Sequence, residues 1–217
     1  LNNLGTAYRE LGDTEKAMTF YQKVLSINSN HTNANYNLGL IFFGLKELKR
    51  AKEYLEKTVK IQPNYAFAHY SLGNLQKELS ELKQAKESYL KAIELRPSFA
   101  SAQNNLGLVF SNIGDPGSAM KCYKKALEID PKHAGAYNNL GRLYTETGEL
   151  EKAIESHKAA IKLEPQNLVH TYYLSELDKN FLNSEVKNKT EEILNNKGPY
   201  RTNLVYGNFL LSRYERN

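Results

Sequence analysis

Apolar residues recur along the chain with helical spacing, and the whole pattern repeats every 34 positions. Each repeat contains a Leu-Gly pair, an alanine, a large residue four positions after the alanine and a smaller residue three positions further on. The Leu-Gly pairs begin at positions 4, 38, 72, 106 and 140, and the alanines stand at positions 17, 51, 85, 119 and 153. Five of the six prolines, from Pro63 to Pro199, also fall at steps of 34. The pattern predicts tandem copies of one small helical unit.

Each repeat divides near its middle at turn residues, as at Gly12-Asp13 in the first copy. Glycine tolerates the left-handed conformation that ends a helix, and Asp13 or Thr14 can cap the next one. A proline ends the second helix of every copy except the first, which has Ser29 at that place, because proline has no backbone N–H to donate. We therefore predict a helix–turn–helix unit, with the glycine and the alanine where two helices approach closely.

A 34-residue period with Leu-Gly, Ala, a large residue and Pro in register resembles the tetratricopeptide repeat family. The resemblance implies an all-α, right-handed superhelical solenoid. The first-helix aromatic of the family is replaced by Gln76 in the third copy, and the tryptophan common in the family is absent. The predicted units are 1–31 (partial), 32–65, 66–99, 100–133 and 134–167, followed by a degenerate unit at 168–201 and a terminal or capping segment at 202–217.

The degenerate sixth unit keeps Leu174 and Pro199 but has Ser175 in place of the glycine and Lys187 in place of the alanine. A last helix is predicted from Arg201 to position 214. Two interpretations remain open: a terminal repeat that caps the array, or a junction with a further domain. Residues 170–177 weakly resemble repeats that join such arrays to sulfotransferase-type catalytic domains.

Composition and charge exclude several classes of protein. The chain has 217 residues, of which 41% are hydrophobic and 24% charged, and its net charge is +5. Basic residues alternate with acidic ones, which indicates a solvated helix surface rather than a nucleic-acid site. No apolar run is long enough for a membrane span, and no signal peptide is visible. Because Leu1 lies inside a repeat, we expect the natural chain to extend upstream; the compartment is unknown, with the cytoplasm favoured.

The sequence offers no catalytic, metal or cofactor site. The five histidines are scattered, and no pair has the spacing of a helical zinc site. Cys122 is the single cysteine, so no internal disulfide or cysteine zinc site can form. Phosphate-binding loops and nucleophile elbows are absent as well. We expect neither an enzyme nor a cofactor in this chain.

A groove lined by the first helices is the expected functional surface, since successive units place those helices on the concave side. Asparagine precedes four of the five Leu-Gly pairs, and an amide can both donate and accept hydrogen bonds from a peptide backbone. This row resembles the asparagine ladder of O-linked N-acetylglucosamine transferases and kinesin light chains. The candidate peptide-binding residues are Asn3, Asn37, Ser71, Asn105, Asn139, Tyr36, Tyr70, Asn74, Asn104, Asn138 and Arg142. Two alternatives stay open: the row is only family consensus, and the tyrosines only pack between helices.

The groove pattern favours a protein partner and a scaffold role. The Lys and Asn spacing that grips chaperone tails in related repeats does not occur, and the groove charges balance in number: Arg9, Lys77 and Arg142 against Glu10, Glu78 and Glu146. We predict protein–protein interaction through an extended peptide segment. One alternative is a substrate-positioning arm of a glycosyl- or sulfo-transferase whose catalytic part lies beyond position 217. Another is homo-oligomerisation through apolar ends at Leu1 and Leu210-Leu211.

Overall fold

The chain is built from short antiparallel helices. The computed structural model describes residues 1–196, 199–200 and 202–216, with Lys179 described in its backbone only. These residues form α1 (Asn2–Glu10), α2 (Thr14–Ile27), α3 (Thr32–Gly44), α4 (Leu48–Ile61), α5 (Ala66–Glu78), α6 (Leu82–Leu95), α7 (Ala100–Asn112), α8 (Pro116–Ile129), α9 (Ala134–Glu146), α10 (Leu150–Leu163), α11 (Leu168–Leu177), α12 (Ser184–Asn195) and α13 (Asn203–Tyr214). A 3₁₀ turn, Lys179–Phe181, follows α11, and no strand occurs within the described ranges. The predicted all-α repeat array is confirmed.

Side-chain caps fix where the second helices begin. Asp13 is the N-cap of α2, and its Oδ1 accepts a hydrogen bond of 3.1 Å from the backbone N–H of Lys16. Thr14 is therefore the first helical residue, and the sequence alternative between the two is resolved. Asp115 caps α8 in the same way, accepting from the N–H of Ser118 at 2.9 Å. A carboxylate at this place satisfies an otherwise unpaired N–H of the first turn.

The turn inside each helix pair requires a left-handed residue. Gly12, Gly114 and Gly148 have φ of 80°, 80° and 81°, which confirms the conformation predicted for the turn glycines. The same repeat position holds Lys46 and Ser80 in the second and third pairs, with φ of 61° and 60°. A side chain in this region is strained, so these two turns are less favourable than their glycine counterparts.

The Leu-Gly glycine lies where the two helices of a pair meet. A Cβ atom built on Gly73 would lie 2.8 Å from Cε1 of Tyr89, which is closer than two non-bonded carbon atoms can approach. The same approach joins Gly5 to Tyr21, Gly39 to Leu55 and Gly141 to His157. All five of the period-34 alanines are completely buried: Ala17, Ala51, Ala85, Ala119 and Ala153. The small residues are thus required by close helix packing, as the sequence predicts.

The chain divides into two compact units, of which unit 1 is Leu1–Ile113 and contains α1 to α7. Within unit 1 the first helices α1, α3 and α5 each pack on their own second helix, and each second helix also packs on the next first helix. Its core combines buried side chains from successive pairs, among them Tyr21, Leu38, Phe42, Leu55 and Leu75. Burying one pair's apolar face therefore depends on its neighbour.

Unit 2 begins at Gly114 and departs from the regular pattern after α10. The α9 and α10 helices form a regular pair, but α11 packs on α10 and α13, and α12 packs on α13. Leu168, Leu182, Ile193 and Leu210 form the shared core of this end. The predicted boundaries at Arg201 and Asn217 lie outside the described residues.

One expectation about this end is wrong. Leu210 is 1% exposed and Leu211 is half-buried, so this pair is not an open apolar end. Leu210 faces the core because it belongs to the same cluster as Leu168. The exposed apolar side chains of α13 are instead Leu204, Val205 and Phe209.

Candidate peptide-binding face

The predicted groove residues all lie on the first helices α1, α3, α5, α7 and α9. Their exposure differs. Asn3 and Arg142 are exposed; Tyr36, Tyr70, Asn74, Asn105 and Asn139 are half-buried; Asn37, Ser71, Asn104 and Asn138 are buried. We refer to the surface formed by α1, α3, α5 and α7 as the first-helix face of unit 1. Buried members of the set can support this face more readily than they can touch a partner.

A hydrogen bond between side chains joins α1 to α3. Nη1 of Arg9 donates to Oδ1 of Asn37 at 2.9 Å. Because the amide oxygen is held in this way, Asn37 has a fixed orientation, and the guanidinium group of Arg9 is placed at the junction of the two helices. Asn37 of the predicted row is thus held by the cation of the neighbouring first helix.

The next junction, between α3 and α5, uses Tyr36 and Ser71. The hydroxyl groups of these residues lie 3.2 Å apart, within hydrogen-bonding distance. The ring of Tyr36 also packs against Tyr65, with ring centroids 5.0 Å apart. A serine therefore replaces asparagine at the ladder position without loss of the link between consecutive first helices.

A larger network joins α5, α6 and α7. Nδ2 of Asn105 donates to Oδ1 of Asn74 at 2.8 Å and to the hydroxyl of Tyr70 at 3.3 Å. Oδ1 of Asn74 also accepts from the hydroxyl of Tyr89 at 2.8 Å, and Nδ2 of Asn104 donates to Oδ1 of Asn105 at 3.1 Å. The ladder asparagine of α7 is therefore oriented by its neighbours on every side.

The two candidate tyrosines do pack between helices. Tyr70 lies against Phe99 with ring centroids 4.7 Å apart, and against Tyr89 at 6.0 Å. Tyr36 lies against Tyr65 in the same manner. Both tyrosines remain half-buried, so each combines a packed ring with partial exposure to solvent.

In unit 2, Arg142 is stacked on a residue that the sequence analysis did not include. Its guanidinium carbon is 5.4 Å from the ring centroid of Tyr173, a cation–π contact. Tyr173 stands 34 positions after Asn139, so extending the ladder by one period into the degenerate unit would have found it. The two residues line a cavity of about 230 Å³ together with Thr145, Glu146, Glu176 and Leu177. Glu176 is paired with Arg213.

His157 occupies the place that tyrosine holds in three of the other pairs. Its side chain is completely buried and stacks on Tyr173 with ring centroids 5.6 Å apart. Burial lowers the pKa of His157 to about 4, and the nearby His170 and Arg142 lower it further in the same direction. The imidazole is therefore neutral at physiological pH and acts as a flat packing group.

The part of the chain that the structure describes contains no cluster of three His, Cys, Asp or Glu side chains that could hold a metal ion. Cys122 is buried, and burial raises its pKa to about 11, so the thiol is not activated. Among the described helices, none combines the length and the apolar character that a membrane crossing requires.

Repeated helix pairs whose first helices are joined by side-chain hydrogen bonds define an α-helical repeat protein. The chain belongs to the tetratricopeptide repeat family. Family models described as tetratricopeptide repeat match residues 32–65, 100–133 and 122–155, and a model described as TPR repeat matches residues 5–46 and 73–114. The family resemblance inferred from the period is thereby confirmed.

Solved structures support the same assignment. MamA is 30% identical, with 75% of this chain and 95% of MamA covered and a TM-score of 0.67. YrrB, described as a TPR protein with an unusual peptide-binding site, is 27% identical, with 79% of this chain and 88% of YrrB covered and a TM-score of 0.65. PilF of Pseudomonas aeruginosa shares the fold at 21% identity and a TM-score of 0.78, with 99% of this chain and 95% of PilF covered. No curated protein sequence matches the chain significantly.

Proposed function

We propose that this chain is a non-catalytic binding scaffold that holds an extended peptide segment of another protein along its first helices. The observation that carries the proposal is the set of inter-helix hydrogen bonds from Arg9 to Asn37 and from Asn105 to Asn74, which fix polar groups at regular spacing. Fixed groups lose little conformational entropy on binding. The likeness to YrrB, itself described as having a peptide-binding site, supports the same class of function.

The finer proposal is that the asparagine row contacts the peptide backbone. Hydrogen bonds to a peptide backbone do not discriminate between side-chain sequences, and each contributes on the order of 1 kcal/mol net. Several such bonds would therefore give a modest and promiscuous affinity, to which the half-buried Tyr36 and Tyr70 add apolar area. Such a site suits many peptide sequences of one extended conformation.

The test replaces Asn37, Asn105 and Asn139 together by alanine. The probe is a 12-residue peptide selected on the unmodified chain from a random phage-displayed library, with affinity measured by fluorescence anisotropy. We expect the triple variant to bind the peptide at least tenfold more weakly, the equivalent of about 1.4 kcal/mol.

A matched control carries three other asparagine-to-alanine changes, at the exposed Asn64, Asn188 and Asn195. This control should keep its affinity. Because Asn105 also supports Asn74, the melting temperature of each variant is measured, and binding is compared where all are folded. An unchanged affinity in the triple variant would exclude the ladder, and failure of the library to yield any binding peptide would exclude the scaffold proposal.

A second candidate function, self-association, is favoured by the exposed Leu204, Val205 and Phe209 on α13. Apolar side chains grouped on one helix commonly mark a contact surface. The measurement is the molar mass by light scattering over a hundredfold range of concentration. A mass that rises with concentration in the unmodified chain and stays monomeric in Phe209→Glu supports this candidate; a constant monomer mass rejects it.

A further inference from the structure

Charge is sparse on the first-helix face of unit 1. The helices α3 and α7 contain no Asp, Glu, Lys or Arg, whereas α1 contributes Arg9 and Glu10 and α5 contributes Lys77 and Glu78. The two Arg/Lys–Glu pairs stand at equivalent repeat positions, 68 residues apart. In number these charges cancel, so any preference for an acidic or basic partner depends on where the structure places them.

The carboxylate of Glu78 is already neutralised from outside the face. Nζ of Lys46, in the turn after α3, donates to Oε1 of Glu78 at 2.7 Å, and this bond holds the pKa of Glu78 below its usual range. Glu10, the other carboxylate of these helices, is exposed to solvent, where water screens its charge. In the part of the chain that the structure describes, neither acid forms a close ion pair with Arg9 or Lys77, although Glu78 interacts with Lys77 at longer range.

The cations are positioned differently. Arg9 is half-buried, and its bond to Asn37 directs the guanidinium group to the junction between α1 and α3. Lys77 is half-buried too, and it forms no ion pair with any residue that the structure describes. Burial lowers the pKa of Lys77, because the ammonium group has lost part of its hydration, and the neighbouring Glu78 offsets only part of this effect.

Acceptor atoms on the same face are engaged within the protein. Oδ1 of Asn37 accepts from Arg9, Oδ1 of Asn74 from Asn105, and Oδ1 of Asn105 from Asn104. Unit 1 as a whole has 14 Lys and Arg against 10 Asp and Glu, which accounts for +4 of the chain's net +5. Unit 1 therefore presents a net positive charge to a ligand, with Arg9 and Lys77 as the cations of this face.

We propose that the peptide segment bound on the first-helix face of unit 1 is acidic, with Asp or Glu carboxylates pairing with Arg9 and Lys77. The inference rests on the proposed function, and it specifies the chemistry of the partner. Hydrogen bonds from an ionised donor to a carboxylate are about twice as strong as neutral ones. A carboxylate supplied by the partner gives Lys77 the close ion pair that it does not form with the described residues.

The experiment compares three fluorescein-labelled 12-residue peptides that alternate serine with Glu, Gln or Lys. We expect the full chain to bind the Glu peptide about tenfold more tightly than the Gln peptide at low salt, with the difference falling in 0.5 M NaCl as screening increases. The double variant Arg9→Met and Lys77→Met should remove this difference between the Glu and Gln peptides.

Two controls keep the outcome specific. Lys60→Met with Lys83→Met removes the same net charge from exposed positions on second helices and should preserve the preference. Lys77→Gln alone, which leaves the Arg9–Asn37 bond intact, should reduce the preference in a chain with unchanged melting temperature.

The failures of the two proposals can be told apart. Equal binding of the Glu and Gln peptides, with loss of both in the asparagine triple variant, overturns the acidic preference and supports the scaffold. If the Lys60 and Lys83 control loses the preference for the Glu peptide as fully as the Arg9 and Lys77 variant does, the preference depends on net charge alone. That result also overturns the assignment to Arg9 and Lys77. No binding of any peptide overturns both.

Discussion

Gly73 and Tyr89 are in direct contact across the two helices of the third pair: a Cβ on the glycine would lie 2.8 Å from Cε1 of the ring. Gly73→Ala must therefore displace a completely buried tyrosine. We expect this substitution to reduce the free energy of unfolding by about 2 kcal/mol, the usual cost of overpacking a core. Thermal and urea denaturation followed by circular dichroism would measure it.

Gly44 provides the matched control for that change. It also lies in a helix, at the end of α3, but nothing stands within 4 Å of its would-be Cβ. Gly44→Ala should be neutral or should stabilise the chain by up to about 1 kcal/mol, because alanine restricts the unfolded backbone. Equal effects of the two substitutions would contradict the packing explanation.

The strained turn at Ser80 should be improved by glycine. Ser80 has φ of 60° where three other turns have glycine. We expect Ser80→Gly to raise the free energy of unfolding by about 1 kcal/mol, since glycine adopts this conformation without steric cost. The same exchange in a helix, Ser212→Gly in α13, should instead destabilise by about 0.5 kcal/mol. A loss of stability in Ser80→Gly would refute the assignment of strain.

The hydroxyl of Tyr89 should contribute measurably through its bond to Asn74. Tyr89→Phe removes only this donor and should cost about 1 kcal/mol of unfolding free energy. A double-mutant cycle with Asn74→Ala isolates the pairwise energy from the bond between Asn74 and Asn105. Tyr54→Phe is the control: Tyr54 stacks on Phe42 at 5.5 Å, and its hydroxyl has no described hydrogen bond, so its loss should be nearly neutral.

The sequence period was sufficient to predict the fold, because steric rules act locally and repeat. The Leu-Gly pair and the alanine are required by the approach of one partner helix, and the turn glycine is required by its own positive φ. Their spacing therefore specifies the helix pair without reference to distant parts of the chain. The degenerate end could not be predicted in the same way. Where Lys187 replaces the small alanine, the pattern no longer specifies which helix α12 packs against, and the structure places it against α13.

The candidate site was predictable in its positions but not in its hydrogen bonds. The ladder register locates Asn37 and Asn105, yet nothing in the sequence indicates that Arg9 would bond to Asn37 or that Lys46 would engage Glu78. These contacts connect different repeats, and they depend on rotamers set by helix packing. The numbers of positive and negative residues on the first helices α1, α3, α5, α7 and α9 are equal, but their positions in the structure are therefore not equivalent.

The buried imidazole of His157 should make unit 2 sensitive to acid. Its pKa of about 4 in the folded chain lies below the value near 6.5 expected when unfolded. Between these values the unfolded chain binds the additional proton, so stability is complete above pH 6.5 and is lost as the pH falls towards 4. The 2.5-unit difference corresponds to about 3 kcal/mol at the acid end.

His157→Tyr should reduce that loss. Tyrosine occupies the equivalent position at Tyr89, above the equivalent glycine, so Gly141 is expected to accommodate the ring. Part of the pH dependence should remain, since burial also lowers the pKa of His170, which pairs with Glu164 at 3.2 Å. Melting temperature measured from pH 7.5 to 4.5, with hydrogen exchange in α9 to α11 to localise the effect, tests this. If both proteins lost stability equally over that range, His157 would not be the group that titrates.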